Sequence, residues 1–179
     1  MRAFLACRID TADATRLNAA LEPFRQVYTG RGFRWTPPAN YHVTLRFFGE
    51  LSQTAVERVW RLVEPILSNV SPIDCRATAP RPLPNARHPR VLVVPIDSDG
   101  RLERLATQCN DALGKEFGPP DKTFRAHLTV IRVGSGARLI ESALELVVPL
   151  ALTSVAVFES TQSNGGPRYT PLRDLRLGR

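Results

Sequence analysis

The sequence lacks any long apolar run. No stretch of some 18 apolar residues occurs, which is the length a helix needs to cross a membrane. The apolar run at residues 3–7 is too short, and followed by charge too soon, for a signal peptide. We therefore expect a cytoplasmic protein that does not associate with membranes.

Cysteine and histidine are also scarce. The three cysteines, Cys7, Cys75 and Cys109, are odd in number, scattered and without a Cys-x-x-Cys spacing, so neither a disulfide framework nor a zinc knuckle is expected. We predict that they are small buried hydrophobic residues. The three histidines come without a His-Glu-x-x-His motif or an acidic cluster, so we expect no metal site.

No Gly-x-x-x-x-Gly-Lys-Ser/Thr loop is present, which disfavours an ATP-dependent ligase or kinase. We expect no cofactor. Lysine is nearly absent: of 24 Lys plus Arg, only Lys115 and Lys122 are lysines. The planar fork of arginine suits phosphate, although a genome that favours arginine codons explains the same bias. The net charge of +7 therefore predicts only an anionic partner.

The periodicity of apolar residues predicts an α+β fold. A chain of 179 residues with 43% hydrophobic content suits one domain or two small lobes. Loops are predicted at 29–40 and 80–89 and a hairpin turn at Asn164-Gly165-Gly166. Strands are predicted at 2–9, 41–48, 70–79, 91–96, 124–133, 152–160 and 168–177, and helices from Asp10 or Thr11 through Tyr28, from Ser52 through Leu67, from Leu102 to Gly114 or Gly118, and at 139–146.

One tetrapeptide pattern occurs twice. His42-Val-Thr44-Leu and His127-Leu-Thr129-Val each follow a Pro-Pro loop and lie 85 residues apart, close to half the chain. Such a degenerate repeat suggests two lobes related by a pseudo-two-fold axis, each contributing one strand to a shared cleft. We therefore predict a single bilobal domain over residues 1–179, with the two strands at 42–45 and 127–130.

The alternation of side chains along a strand gives this pattern its chemistry. His and Thr of each tetrapeptide point to one face and the aliphatic pair to the other. Two facing copies supply two imidazoles for proton transfer and two hydroxyls to hold phosphoryl oxygens, without a metal. A single His-x-Thr is more often a polar pair on a sheet face. Two copies, using two of only three histidines, favour catalysis, whereas His88 in its proline-rich loop is predicted to be a surface residue.

Four blocks in this order resemble the two-histidine phosphoesterases, specifically the RNA 2′,3′-cyclic phosphodiesterases, formerly called 2′-5′ RNA ligases. The blocks are residues 1–6, 41–51, 124–132 and 165–172. The resemblance implies a bilobal α+β fold with a central cleft and hydrolysis of RNA 2′,3′-cyclic phosphate ends to 2′-phosphomonoesters. It also implies that His42 is the proton donor and His127 the proton acceptor, that Thr44 and Thr129 hold phosphoryl oxygens, and that Arg132 contacts phosphate.

The arginine assignment conflicts with strand alternation. Strict alternation places Arg132 on the face away from His127, unless the strand twists or bulges before it or the arginine reaches around the end of the strand. By alternation, Arg46 and Arg125 are the better substrate-binding candidates. Phe47 or Phe48 could stack on a base, but aromatic residues beside a strand are more often core, and we expect core for both.

Two alternatives to hydrolysis stay open at this point. The same two histidines could join RNA halves through a 2′-5′ linkage, because a catalyst acts in both directions of a reaction. A binding module that recognises RNA or nucleotides without catalysis belongs to a different class. The expected partners are RNA ends, including tRNA fragments, and we expect a monomer.

Overall fold

The computed structural model describes residues 1–137, 142–163 and 166–178. Nine strands and four α-helices lie within these residues, with a 3₁₀ turn at Pro38–Asn40. The strands are β1 (Arg2–Ile9), β2 (Phe33–Trp35), β3 (His42–Glu50), β4 (Ile73–Thr78), β5 (Arg81–Leu83), β6 (Val91–Asp97), β7 (His127–Val133), β8 (Val147–Ser163) and β9 (Gly166–Arg176). The helices are α1 (Thr11–Ala20), α2 (Glu22–Val27), α3 (Gln53–Leu67) and α4 (Arg101–Phe117).

The strands form two antiparallel sheets that meet at one point. The first sheet runs β3-β1-β8-β4, with β9 also paired to β8, and the second runs β2-β7-β6-β5. The end of β6 pairs with β4 through Ala77 and Ile96, which joins the sheets. The predicted α+β class with antiparallel sheets is confirmed. β3 and β7, which carry the two tetrapeptides, belong to different sheets.

The helix ends follow from local sequence. Asp10 accepts a hydrogen bond from the backbone N–H of Asp13 at 2.8 Å and caps α1, and Ser52 caps α3 through Ala55 at 3.1 Å. Of the two glycines predicted to end α4, Gly114 and Gly118, the helix ends at Gly118. Its φ of +67° is a backbone conformation that favours glycine. Pro23 explains one error: the helix predicted through Tyr28 is interrupted at Leu21, because proline at the start of α2 cannot continue the preceding helix.

Two predicted loops contain short strands, because backbone pairing rather than apolar alternation forms β2 and β5. The strand predicted from residue 124 begins only at His127. Of the helix predicted at 139–146, residues 139–141 lie outside the described residues and 142–146 are not helical. Two residues of the predicted hairpin turn, Asn164 and Gly165, also lie outside the described residues. The strands on either side, β8 and β9, pair as far as Ser163 and Gly166.

The main core lies between the helices and both sheets, and includes buried residues of β6 and β7. It includes the predicted apolar stripe of α3 and all three cysteines, which are buried as expected; burial raises the pKa of each thiol. The opposite face of the first sheet carries a separate small cluster, Phe4, Ala6, Ala156 and Phe158, with Tyr169 packed against it. No helix of the described residues is long and apolar enough to span a membrane.

Candidate active site

A cavity of about 440 Å³ is lined by residues of both sheets. The first sheet contributes His42 and Thr44 of β3, and the second contributes Thr129 and Arg132 of β7. The β8–β9 hairpin adds Tyr169 to the wall. The cavity is therefore the place where the two repeated strands come together, as the repeat predicted.

Both tetrapeptides show the predicted alternation. Each histidine is the first residue of its strand, and each histidine and threonine is half-buried, while the aliphatic residues that alternate with them are fully buried. Within the described residues, neither Thr44 nor Thr129 has a hydrogen bond from its hydroxyl to another protein group. Both hydroxyls are thus available to a ligand in the cavity.

Both imidazoles are held in the same way. His42 Nδ1–H donates to the backbone oxygen of Asn40 at 2.7 Å, and His127 Nδ1–H donates to that of Arg125 at 2.6 Å. A carbonyl oxygen only accepts, so each Nδ1 must carry the hydrogen and each Nε2 is the atom left for proton exchange. In each case the acceptor lies two residues before the histidine. His127 is half-buried and is not itself among the residues that line the cavity.

His42 lies in an apolar environment. Its ring centroid is 4.9 Å from that of Phe4 and 5.1 Å from that of Tyr169, with Phe158 at 6.4 Å. The pKa of His42 is lowered from 6.5 to about 4, mainly by burial. The positive charges of His127 and Arg132 lower this pKa further, whereas the hydrogen bond to the Asn40 carbonyl raises it. In the ligand-free protein His42 is therefore neutral at pH 7.

A β-bulge lies at the last residue of each tetrapeptide. In the pairing of β1 with β3, Leu5 lies opposite Arg46 and Ala6 opposite Thr44, so one residue of β3 is extra. In the pairing of β6 with β7, Ile131 and Thr129 lie opposite consecutive residues, so Val130 is extra. A bulge places two successive residues on the same side and reverses the alternation that follows.

This reversal settles the conflict over the arginines. Arg132 shares the face of Thr129 and lines the cavity, while its contact with phosphate stays a prediction. Arg46 is only 5% exposed and lies on the opposite face, where it donates to the backbone oxygens of Phe117 and Gly118, both at 2.8 Å. The prediction that Arg46 faces the cleft is wrong, because strict alternation does not survive the bulge.

Arg125 does not line the cavity either. It is exposed and precedes the first residue of β7, so strand alternation does not apply to it. Its backbone oxygen serves the site by holding His127. Binding of the substrate by its side chain therefore stays a prediction.

The first bulge also exposes an aromatic ring. Phe47 occupies the position in β3 that Arg132 occupies in β7; it is 44% exposed and lines the cavity. The expectation that Phe47 is a core residue is wrong. Phe48 packs against the core, with its ring centroid 5.8 Å from that of Phe117, as expected.

Sequence reasoning gave no role to several residues of this site. Phe4 appears in the sequence as one member of an alternating strand, and Tyr169 only as part of a block shared with a family. Arg2 and Arg34 also line the cavity, and an excess of arginine over lysine was their only signal. His88 is exposed and outside the cavity, as predicted. Within the described residues no group of three His, Cys, Asp or Glu could hold a metal ion.

The lining of the cavity is basic. It contains Arg2, Arg34 and Arg132 and, among the described residues, no aspartate or glutamate. Arginine forks and hydroxyl donors suit the oxygens of a phosphate. Two imidazoles with free Nε2 atoms can remove one proton and supply another. The arrangement suits cleavage of a phosphodiester by acid–base catalysis.

Comparison with known proteins agrees with this geometry. The model of the LigT-like phosphoesterase family matches residues 9–93 and 94–169, and each segment holds one His-x-Thr tetrapeptide. An RNA 2′,3′-cyclic phosphodiesterase of Archaeoglobus fulgidus is 33% identical over 135 residues, covering 74% of this chain and 73% of the relative. One from Methanothermobacter thermautotrophicus is 24% identical over 185 residues, covering 99% of each chain.

Solved structures share the fold. The crystal structure of TT0787 of Thermus thermophilus superposes with a TM-score of 0.80 at 24% identity, covering 99% of this chain and 98% of that one. That of Escherichia coli LigT complexed with 3′-AMP gives a TM-score of 0.75 at 18% identity, with the same coverage of 99% and 98%. The two-lobed α+β architecture is thus shared along the whole chain.

Proposed function

The chain belongs to the LigT-like phosphoesterase family, and we propose that it hydrolyses RNA 2′,3′-cyclic phosphate ends to 2′-phosphomonoesters without a metal. One observation carries the proposal: two histidines, each anchored through Nδ1, open equivalent strands beside a cavity lined by Thr44, Thr129 and Arg132. The curated relatives that bear the name RNA 2′,3′-cyclic phosphodiesterase support the choice of substrate.

Each group has one task in the proposed reaction. His127 Nε2 takes a proton from water as its oxygen attacks phosphorus, and His42 Nε2 gives a proton to the departing 3′ oxygen, which leaves the phosphate on the 2′ oxygen. Thr44 and Thr129 donate hydrogen bonds to the non-bridging oxygens as their charge grows. Arg132 binds the same phosphate through its guanidinium.

The proposed acid, His42, needs the substrate to become protonated. Its pKa of about 4 in the ligand-free protein keeps it neutral at pH 7, so it starts without the proton it has to give. A phosphate anion next to its Nε2 favours the charged form and raises the pKa. We infer that His42 takes up its proton when the substrate binds.

The direct test is hydrolysis of a nucleoside 2′,3′-cyclic phosphate in EDTA, with identification of the product isomer. We expect the 2′-phosphate, and a loss of roughly 10²- to 10⁴-fold in rate for His42→Ala and for His127→Ala. His88→Ala is the matched control, because His88 is exposed and outside the cavity. Loss of turnover in EDTA, or a near-wild-type rate for either site variant, would refute the mechanism.

The same experiment distinguishes the other two functions. A 5′-hydroxyl oligonucleotide added to the mixture reports any 2′-5′ joining. RNA binding without turnover under any condition would instead identify a non-catalytic binding module.

A second substrate tests which histidine is the acid. An aryl phosphodiester whose leaving group is 4-nitrophenolate needs little protonation to depart. We expect His42→Ala to retain most of its activity on this substrate, whereas His127→Ala loses activity on both substrates. The reverse pattern would exchange the two roles.

The proposal includes three further points. Residues 1–179 act as a single bilobal domain, because residues of both sheets line one cavity. The natural substrates are RNA ends, including tRNA fragments, which the net charge of +7 favours. The chain works as a monomer in the cytoplasm, a point that size-exclusion chromatography and cell fractionation can test.

A further inference from the structure

Two arginines lie directly opposite each other in the second sheet. Arg34 of β2 is the register partner of Arg132 of β7. Residues directly opposite in an antiparallel pair have side chains on the same face and close together. Both residues are exposed and both line the cavity.

No side chain in the described part of the chain balances this pair of charges. The described residues that line the cavity include no carboxylate, and neither arginine forms an ion pair or a hydrogen bond through its side chain in the described part of the chain. Like charges directly opposite each other destabilise a sheet. An anion bound between or beside the two guanidiniums would remove that repulsion.

The position of Arg34 is fixed by its neighbours. The guanidinium carbon of Arg25 lies over the Trp35 ring, 4.2 Å from the ring centroid. The indole Nε1–H of Trp35 donates to the backbone oxygen of Tyr28 at 3.3 Å. The backbone on either side of β2 is bonded to the second sheet, through Thr36 N–H to Val130 O and Gly134 N–H to Gly32 O, both at 2.8 Å. The strand therefore presents Arg34 to the cavity from a braced backbone.

The number of charges in the cavity exceeds what one cyclic phosphate needs. A phosphodiester carries a single negative charge, and the proposed function already assigns Arg132 to it. The next phosphate along an RNA chain is the one on the 5′ side of the terminal nucleotide. A guanidinium next to Arg132 is suited to that second group by charge and by its planar fork.

We propose that Arg34 binds a second phosphate of the substrate, on the 5′ side of the nucleotide that bears the cyclic phosphate. This inference rests on the proposed function. It predicts that the site selects RNA ends carrying this phosphate over nucleoside 2′,3′-cyclic phosphates that lack it. The second phosphate is either a phosphodiester linking a further nucleotide or a terminal 5′-phosphate.

Three substrates separate these cases: a nucleoside 2′,3′-cyclic phosphate, the same compound with a 5′-phosphate, and a dinucleotide with a 2′,3′-cyclic end. For the wild-type protein we expect kcat/KM to be about tenfold higher on at least one substrate with two phosphates, since a charge-assisted hydrogen bond is worth about that factor. Whichever of the two shows the increase identifies the source of the phosphate.

Arg34→Gln should abolish this preference. We expect about a tenfold loss on the preferred substrate and less than about a twofold change on the nucleoside cyclic phosphate. Arg31→Gln is the matched control, because Arg31 is exposed, three residues earlier and not among the cavity lining. It removes the same charge and should behave like the wild type. Arg34→Lys keeps the charge without the fork and should restore part of the preference.

Two outcomes would overturn the inference. The first is an equal loss by Arg34→Gln on all three substrates, which would place Arg34 at the reacting phosphate. The second is a two-phosphate preference that Arg34→Gln leaves unchanged, or no preference in the wild type. Urea unfolding of the variant shows whether the fold is kept.

Failure of the proposed function would look different. The wild-type protein would then turn over none of the three substrates. Calorimetric binding of an uncleavable 5′-phosphorylated dinucleotide still tests Arg34 in that case, and equal affinity for the wild type and Arg34→Gln would sink the inference.

Discussion

Acidification should destabilise this fold through His42 in particular. The residue has a pKa of 6.5 when unperturbed and about 4 in the folded protein. Between these values the unfolded chain binds a proton at this position that the folded chain does not. The free energy of unfolding therefore falls as the pH drops through 6.5 and stops falling, as far as His42 is concerned, near pH 4.

The size of the loss follows from the gap between the two pKa values. That gap is about 2.5 pH units, and each unit is worth about 1.4 kcal/mol. The expected loss is about 3 kcal/mol, a large part of the roughly 5–15 kcal/mol that stabilises an ordinary domain. The main cause is burial of the imidazole beside Phe4, Phe158 and Tyr169, which leaves an imidazolium poorly solvated.

Urea unfolding at several pH values between about 7.5 and 4 measures the effect. Carboxylates titrate in the same range, so the informative quantity is the difference between the wild type and His42→Gln at each pH. We expect the wild type to lose about 3 kcal/mol more than the variant over this range. His88→Gln, which changes an exposed histidine, should follow the wild type.

Two results would refute the reasoning. One is a parallel loss of stability in the wild type and His42→Gln. The other is an NMR titration in which the His42 ring changes protonation near its ordinary pKa of 6.5. Either would show that the aromatic residues around His42 do not keep water from its ring.

Two matched pairs of variants test the consequences of the bulge in β3. Arg46→Met should lower the free energy of unfolding by about 2–4 kcal/mol, because the partly buried carbonyls of Phe117 and Gly118 at the end of α4 lose a charged donor. Exposed Arg125→Met should cost less than about 0.5 kcal/mol. Equal costs in urea unfolding would contradict the buried position of Arg46. Phe47→Ala should weaken the affinity for a nucleotide about tenfold through lost base stacking, measured by calorimetry, and change stability little. Phe48→Ala should instead destabilise the core by about 3 kcal/mol. Unchanged nucleotide affinity in Phe47→Ala would show that this ring binds no base.

Local sequence was sufficient for much of the fold. The first residues of α1 and α3 follow from the capping side chains of Asp10 and Ser52, and the stripe of α3 follows from helical periodicity. The pairing of His with Thr on one face of each strand follows from the two-residue period of a strand. These features depend on neighbours within a few residues, so the sequence states them directly.

Features made by distant segments had no such signal. The pKa of His42 depends on aromatic residues from β1, β8 and β9. Phe4 of β1 lies more than a hundred residues before the other two in the sequence. The opposition of Arg34 and Arg132 depends on β2 pairing with β7. Such contacts exist only once the sheets are assembled.

The sequence by itself determined the candidate catalytic residues: two histidines and two threonines in a repeated pattern on two strands. Only the tertiary structure decided which arginine stands beside them. The extra residue at the end of each tetrapeptide, Leu45 in β3 and Val130 in β7, lies where the partner strand fixes the register. Such an insertion exchanges the two faces for the residues that follow it. For this reason Arg46 is buried against α4, while Arg132 and Phe47 face the cavity.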